Sequence, residues 1–332
     1  MATIRQRGTK WQCIIKRTGY PPQTKTFELK RDAEKWGRLQ EREIDSGQWV
    51  DRTEAERTTL GDLLERYAKE VSTTKRGKDI EVIRLDAIRH STLAKHSAAT
   101  ISGKLIASWR DSRLQRVSSG TVLREMQLLN HVFAVAIRDW GIALHSNPVS
   151  HIRKPPAGKP RDRVLTDAQR AALIAACGQC RNPWVQPVVI FALETAARRG
   201  EIKALTWDGV DLQRGTAKLR ITKTGDPRTV PLSPACIAML RSLPRSIDGY
   251  VFPVTIQALK QAYERAVARA GIDDFTFHDL RHDALTRLSK MGFSVLELRA
   301  ISGHTTTTML QRYVSIDAGD LASRLAAIGR IA

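Results

Sequence analysis

The chain has 332 residues, long enough for two or three domains, each with its own core. With 42% hydrophobic and 27% charged residues, no apolar run near the ~18 a membrane span needs and no charged-then-apolar leader, it excludes a membrane protein and is expected to be soluble and intracellular. The net charge of +20 favours a polyanionic partner, and its spread along the chain (+4 over 1–57, +8 over 58–160, +8 over 161–332) fits a long DNA track better than a basic anchoring helix.

The first fifty residues read as a small unit. Trp11, Cys13 and Ile15 alternate with Gln12, Ile14 and Lys16, the chain turns at Thr18-Gly19-Tyr20-Pro21-Pro22, and a second strand follows. Ala33, Trp36, Leu39 and Ile44 then recur near helical spacing, with Gly47 as a stop. Residues 1–31 hold eight Lys/Arg against one acid, Glu28, so a three-stranded sheet with one backing helix would present a basic face able to enter a DNA groove.

From Thr58 to about Ile152 the pattern is all-helical. One helix opens on a Thr cap and carries Leu60, Leu63, Leu64 and Tyr67 on one face; others are expected near 80–93, 103–115 and 118–140, the last ending at Gly141. The proline-rich, basic stretch 147–163 is the clearest linker. Beyond Leu165 helices dominate, interrupted by a β region over 210–232 with hairpin character and a turn at Gly225-Asp226-Pro227. Cys177 and Cys180 lack the further ligands of a structural zinc site and read as unpaired cysteines near a helix end.

Four short motifs carry chemistry. Arg198 and Glu201 stand at i and i+3 of a helix start, where a glutamate can hold a guanidinium fork for a phosphate oxygen. Lys223 sits at the hairpin turn. His278 and Arg281 share one helix face and can converge on a small anion, the histidine able to move a proton and the arginine to stabilise charge; His282 points about 100° away and reads as structural. Gly303 allows a tight approach and His304 follows at the start of an expected helix, with Tyr313 nine residues on; nine residues do not share a helix face, so a turn in the 303–308 stretch must separate the two.

Each motif alone has an ordinary structural explanation, but their order and spacing resemble the tyrosine site-specific recombinases, or phage-integrase family, in the look of phage integrases and shufflon-type DNA invertases. Thr195 through Glu201 match the family's Thr-Gly-x-Arg-x-x-Glu box with Ala196 in place of glycine, and Ser302-Gly303-His304 match its Leu-Gly-His box with serine in place of leucine. The resemblance implies catalytic residues Arg198, Lys223, His278, Arg281, His304 and Tyr313, with Tyr313 the nucleophile, His278 the candidate base, Lys223 the candidate acid and Glu201 an orienting partner. It implies a mostly α multi-domain fold: an N-terminal β-sheet-plus-helix module over 1–57 for arm-type DNA sites, a helical core-site-binding domain over 58–158, and an α+β catalytic domain over 159–332. The last two would clamp duplex DNA. The activity implied is site-specific recombination through a 3′-phosphotyrosyl intermediate, giving integration, excision or inversion in a bacterial host cytoplasm. Its partners would be double-stranded DNA, a homo-tetramer assembled on synapsed sites from monomers, and accessory DNA-bending or directionality proteins. No metal or other cofactor is expected, since the covalent link conserves the phosphodiester and the sequence carries neither a carboxylate cluster nor a Gly-x-x-x-x-Gly-Lys-Ser/Thr loop. A type IB topoisomerase-like DNA relaxase and a non-catalytic DNA-binding regulator are the alternatives. Leu321, Leu325 and Ile328 form an apolar stripe on a short tail helix expected to pack into a neighbouring protomer.

Overall fold

A computed structural model describes residues 2–158, 161–220 and 227–313, and Ala326. The chain divides into two compact units, 1–159 and 160–332.

The first unit opens with strands β1 (Thr3–Arg7), β2 (Lys10–Ile15) and β3 (Gln23–Phe27), an antiparallel sheet in the order β1-β2-β3. Helix α1 (Lys30–Asp45) covers it, and Cys13, Ile15, Ala33 and Ile44 form the buried centre. The alternation read in β2 places Cys13 and Ile15 inward, as the period-two pattern requires. Helices α2 (Thr53–Arg57), α3 (Leu60–Glu70), α4 (Lys78–Arg89), α5 (Gly103–Leu114) and α6 (Ser119–Arg138) follow, with a separate core. Thr59 caps α3 through a reciprocal box with Asp62, and Leu60, Leu63, Leu64 and Tyr67 are all buried.

The second unit begins with α7 (Asp167–Gly178), α8 (Val185–Thr195) and α9 (Arg199–Lys203). Strands β4 (Val210–Asp211), β5 (Thr216–Leu219) and β6 (Arg228–Pro231) make an antiparallel sheet in that order, with Leu219 opposite Arg228. Helices α10 (Pro234–Ser242), α11 (Ile256–Arg269), α12 (Asp279–Lys290) and α13 (Val295–Ser302) complete it, followed by single 3₁₀ turns at Thr307–Met309 and Gln311–Tyr313. The apolar α8 runs through the centre: Val185, Val188, Val189, Phe191 and Leu193 are buried on several sides, so it shows no single stripe. Cys177 closes the last turn of α7, Cys180 follows it, and all four cysteines are free. Among the described residues, no helix is long and apolar enough to cross a membrane.

One local expectation is refined and one corrected. His278 is the cap residue that precedes α12, and its own backbone is in the right-handed helical region (φ −73°, ψ −25°), so it extends the face that carries Arg281. His304 starts no helix: Gly303 ends α13 in the left-handed region (φ 64°), and the chain then takes two short 3₁₀ turns, which bring Tyr313 back toward α12.

Candidate active site

The site lies where α9, α12, α13 and the 3₁₀ turn of Tyr313 meet. Arg198 is the cap residue of α9; its backbone N–H donates to Glu201 Oε2 at 2.8 Å and its Nη1 to Glu201 Oε1 at 2.8 Å. Glu201 is buried, and it also receives Nη1 and Nη2 of Arg228 at 2.8 and 2.7 Å. Burial acts to raise the Glu201 carboxyl, but the Arg228 and Arg198 bonds outweigh it and hold the group below its ordinary value.

Arg281 is 3% exposed. Its Nη1 donates to the Ala196 carbonyl and its Nη2 to the Ser302 carbonyl, both at 2.7 Å. Burial first, then the Arg198 and Arg228 cations, push it down to about 9, which still leaves it charged at neutral pH. Nη2 is also 3.5 and 3.4 Å from Nδ1 and Nε2 of His304. Near-equal distances place the guanidinium against the ring, not along one lone pair. Burial, then Arg281, Arg198, Arg228 and His278, lower His304 to about 4, so its imidazole is neutral at physiological pH. The Ser302 hydroxyl lies 2.7 Å from its Nδ1.

His278, Arg198 and Arg281 line one cavity of about 340 Å³, with Lys260 and the rings of Tyr263 and Phe275. The turn into α12 is set by Asp279, whose Oδ2 accepts from the Thr276 backbone N–H at 2.7 Å and hydroxyl at 2.8 Å, while Arg161 Nε donates to both its oxygens at 3.1 Å. Tyr313 packs against the apolar cluster of Ala196, Ala284, Leu285, Leu298 and Leu310, with its ring 4.8 Å from that of His282 and 6.3 Å from that of His304. His282, read from the sequence as structural, is therefore a wall of the tyrosine's seat.

The structure thus brings together Arg198, His278, Arg281, His304 and Tyr313 of the six residues read from the sequence. Lys223 and the tail positions Leu321, Leu325 and Ile328 lie outside the described residues. Sequence reasoning missed Arg228. Its only signal was a position five residues beyond the hairpin lysine, which carries no chemistry until the fold places it beside Glu201. Among the described residues, no group of three or more His, Cys, Asp or Glu side chains could hold a metal ion. Three guanidinium groups and one buried carboxylate leave a cationic centre suited to a phosphodiester anion.

Known proteins similar to this chain are recombinases and integrases. The family model described as "Phage integrase family" matches residues 163–319. A shufflon-specific DNA recombinase of Escherichia coli is 37% identical over 276 residues, covering 80% of this chain and 71% of that protein. A putative integrase/recombinase of Haemophilus influenzae is 33% identical over 303 residues, covering 88% of this chain and 97% of its own. Among solved structures, a lambda integrase tetramer bound to a Holliday junction superposes with a TM-score of 0.67 at 20% identity, covering 94% of each chain. The Tn1549 transposon integrase in complex with circular intermediate DNA gives 0.67 at 19% identity, covering 81% of this chain and 99% of that one.

Proposed function

Because the chain belongs to the phage integrase family, we infer that it is a tyrosine recombinase that cuts and rejoins double-stranded DNA at specific sites. The observation that carries the assignment of roles is that Arg281 shares one cavity with Arg198 and lies against His304, whose ring faces that of Tyr313.

In this reading the Tyr313 oxygen attacks the scissile phosphorus, the bond to the 5′-oxygen breaks, and the DNA is held as a 3′-phosphotyrosyl ester. A phenol with pKa ~10 is about one part in a thousand ionised at neutral pH, so the attack needs a proton acceptor, and His278 at the cavity wall is the candidate. The 5′-oxygen needs a proton as it leaves, a role we give to Lys223. Arg198 and Arg281 neutralise charge on the non-bridging oxygens. Neutral His304 adds a hydrogen bond without adding charge: in the tautomer in which Nδ1 accepts from the Ser302 hydroxyl, Nε2 carries a proton that it can give to a phosphate oxygen as a hydrogen bond. Reversal of these steps with the partner strand's 5′-hydroxyl reseals the exchanged strand.

We extend the reading to assembly. Residues 1–57 would contact accessory arm-type sites, 58–158 the core site, and four protomers would act on two synapsed duplexes with DNA-bending or directionality proteins; the tetrameric lambda integrase neighbour supports the stoichiometry. The test of the chemistry is a nicked suicide substrate. Tyr313→Phe removes only the attacking oxygen, so covalent trapping should vanish while half-site binding persists; trapping by that variant would remove Tyr313 from its role. Arg198→Ala and Arg281→Ala should bind and fail to cleave.

A further inference from the structure

Arg228 belongs to none of the sequence motifs, yet it bonds to two parts of the site at once. It opens β6, its side chain is 10% exposed, and it spends its guanidinium inside the protein. Nη1 and Nη2 go to the two oxygens of Glu201, and Nε donates to the Ile301 carbonyl at 2.8 Å. Its stem lies against Gly303, where a Cβ would come within 2.9 Å of Arg228 Cδ. One side chain therefore ties β6 to α9 and to the end of α13.

The sharing of Glu201 gives this a consequence for the chemistry. Its Oε1 accepts from both Arg198 Nη1 and Arg228 Nη1. A buried carboxylate demands a counter-ion. With Arg228 meeting that demand through two parallel bonds, Arg198 is oriented by a single guanidinium bond and still faces the cavity. Without Arg228 the carboxylate would draw Arg198 into a two-pronged pair and away from the phosphate. On the other side, the Nε bond and the close contact at Gly303 fix the turn that carries His304.

We propose that Arg228 is a positioning residue for DNA cleavage, holding Glu201 so that it aims Arg198 without capturing it and holding the Gly303 turn so that His304 faces the same phosphate. The proposal rests on the recombinase reading above. The groups facing His304 are Arg281 and His278 at α12, Arg198 at α9, Arg228 from β6, Ser302 and Arg299 from α13, and the ring of Tyr313. Arg228 is one of the cations that keep His304 neutral.

The experiment measures single-turnover cleavage of a suicide substrate by the full chain and by Arg228→Gln, Arg228→Lys, Glu201→Gln and the Arg228→Gln/Glu201→Gln double variant. Arg228→Gln should cleave roughly 100-fold more slowly while binding a half-site normally, the scale expected for misplaced groups. Arg228→Lys, which keeps the charge, should recover part of the rate. The two glutamine substitutions should be strongly non-additive, since Arg228 acts through Glu201. The pH at which the His304 imidazole takes up a proton, read by NMR titration, should move up in Arg228→Gln but not in Arg228→Lys. If wild type cleaves and Arg228→Gln matches it, or if the two losses multiply in full, the proposal is overturned. Failure of wild type to cleave would instead remove the recombinase reading. Should Arg228→Gln not fold, Gly303→Ala crowds the same stem with the charge intact, and wild-type cleavage by that variant equally overturns the proposal.

Discussion

Ala196 and Ser302, the two residues at which the chain departs from the family's boxes, each have a local account. Ala196 takes the left-handed region at the end of α8 (φ 53°), which costs a non-glycine residue about 1–2 kcal/mol. Its buried methyl, in the cluster with Ala284, Leu285, Leu298 and Leu310, returns roughly 0.8 kcal/mol and so offsets part of that cost. Ser302 replaces an apolar residue with a hydroxyl that fixes the imidazole of His304. His304, lowered to about 4, should stay neutral through mildly acidic pH, so its own protonation should not limit cleavage until pH drops to that value. The same shift affects stability. The unfolded chain takes the proton at the ordinary 6.5 and the folded chain only near 4, so lowering the pH across that window favours unfolding. Melting temperatures from pH 7 to 4 should therefore fall more steeply for wild type than for His304→Gln, and parallel curves would refute the shift.

Helix α12 shows at the element scale what a sequence conceals. Asp279 through Leu285 are all buried, seven consecutive residues including two aspartates, an arginine and a histidine, so no amphipathic stripe marks the helix. Asp279 has a local partner in Thr276, but the cations and the other donors that meet the two acids come from 113 to 118 positions away: Arg161 grips Asp279, and Asp283 accepts from the Leu165 N–H at 2.9 Å and from Arg170 Nε and Nη2 at 3.1 and 3.2 Å. Such pairings have no local signal. By contrast α3 was readable from its threonine cap and the spacing of Leu60, Leu63, Leu64 and Tyr67, because cap and stripe are local. His282 illustrates the same limit. Its angle from Arg281 on the helix is visible in sequence, but the Tyr313 ring that meets it arrives from another element. Replacing Asp283 by alanine should destabilise the protein by about 1–3 kcal/mol, since it leaves the buried Leu165 N–H and part of the Arg170 fork unmet while Arg170 keeps Asp167. Urea unfolding measures this, and a loss below ~1 kcal/mol would show that the contact has a solvated alternative.

At the scale of the molecule, the charge excess is present in every part of the chain, which favours electrostatic contact over a long stretch of DNA. The sheet of β1–β3 and α1 has its own small core, separate from that of the helices that follow, so it can be removed with little damage to the rest. Deleting residues 1–50 should lower affinity and flatten the dependence of log affinity on log salt, because fewer counterions are released. An unchanged slope would assign the module to protein contact.

The seat of Arg281 has a further consequence. Its two carbonyl partners, Ala196 and Ser302, are at the C-terminal ends of α8 and α13, where helix dipoles present partial negative charge. A cation buried in this way is stabilised by a counter-charge that acid cannot protonate. Nor can such a dipole leave its place to compete with an incoming phosphate, as a mobile carboxylate could. The guanidinium is thus oriented in advance of DNA binding, and little reorganisation remains for the reaction itself.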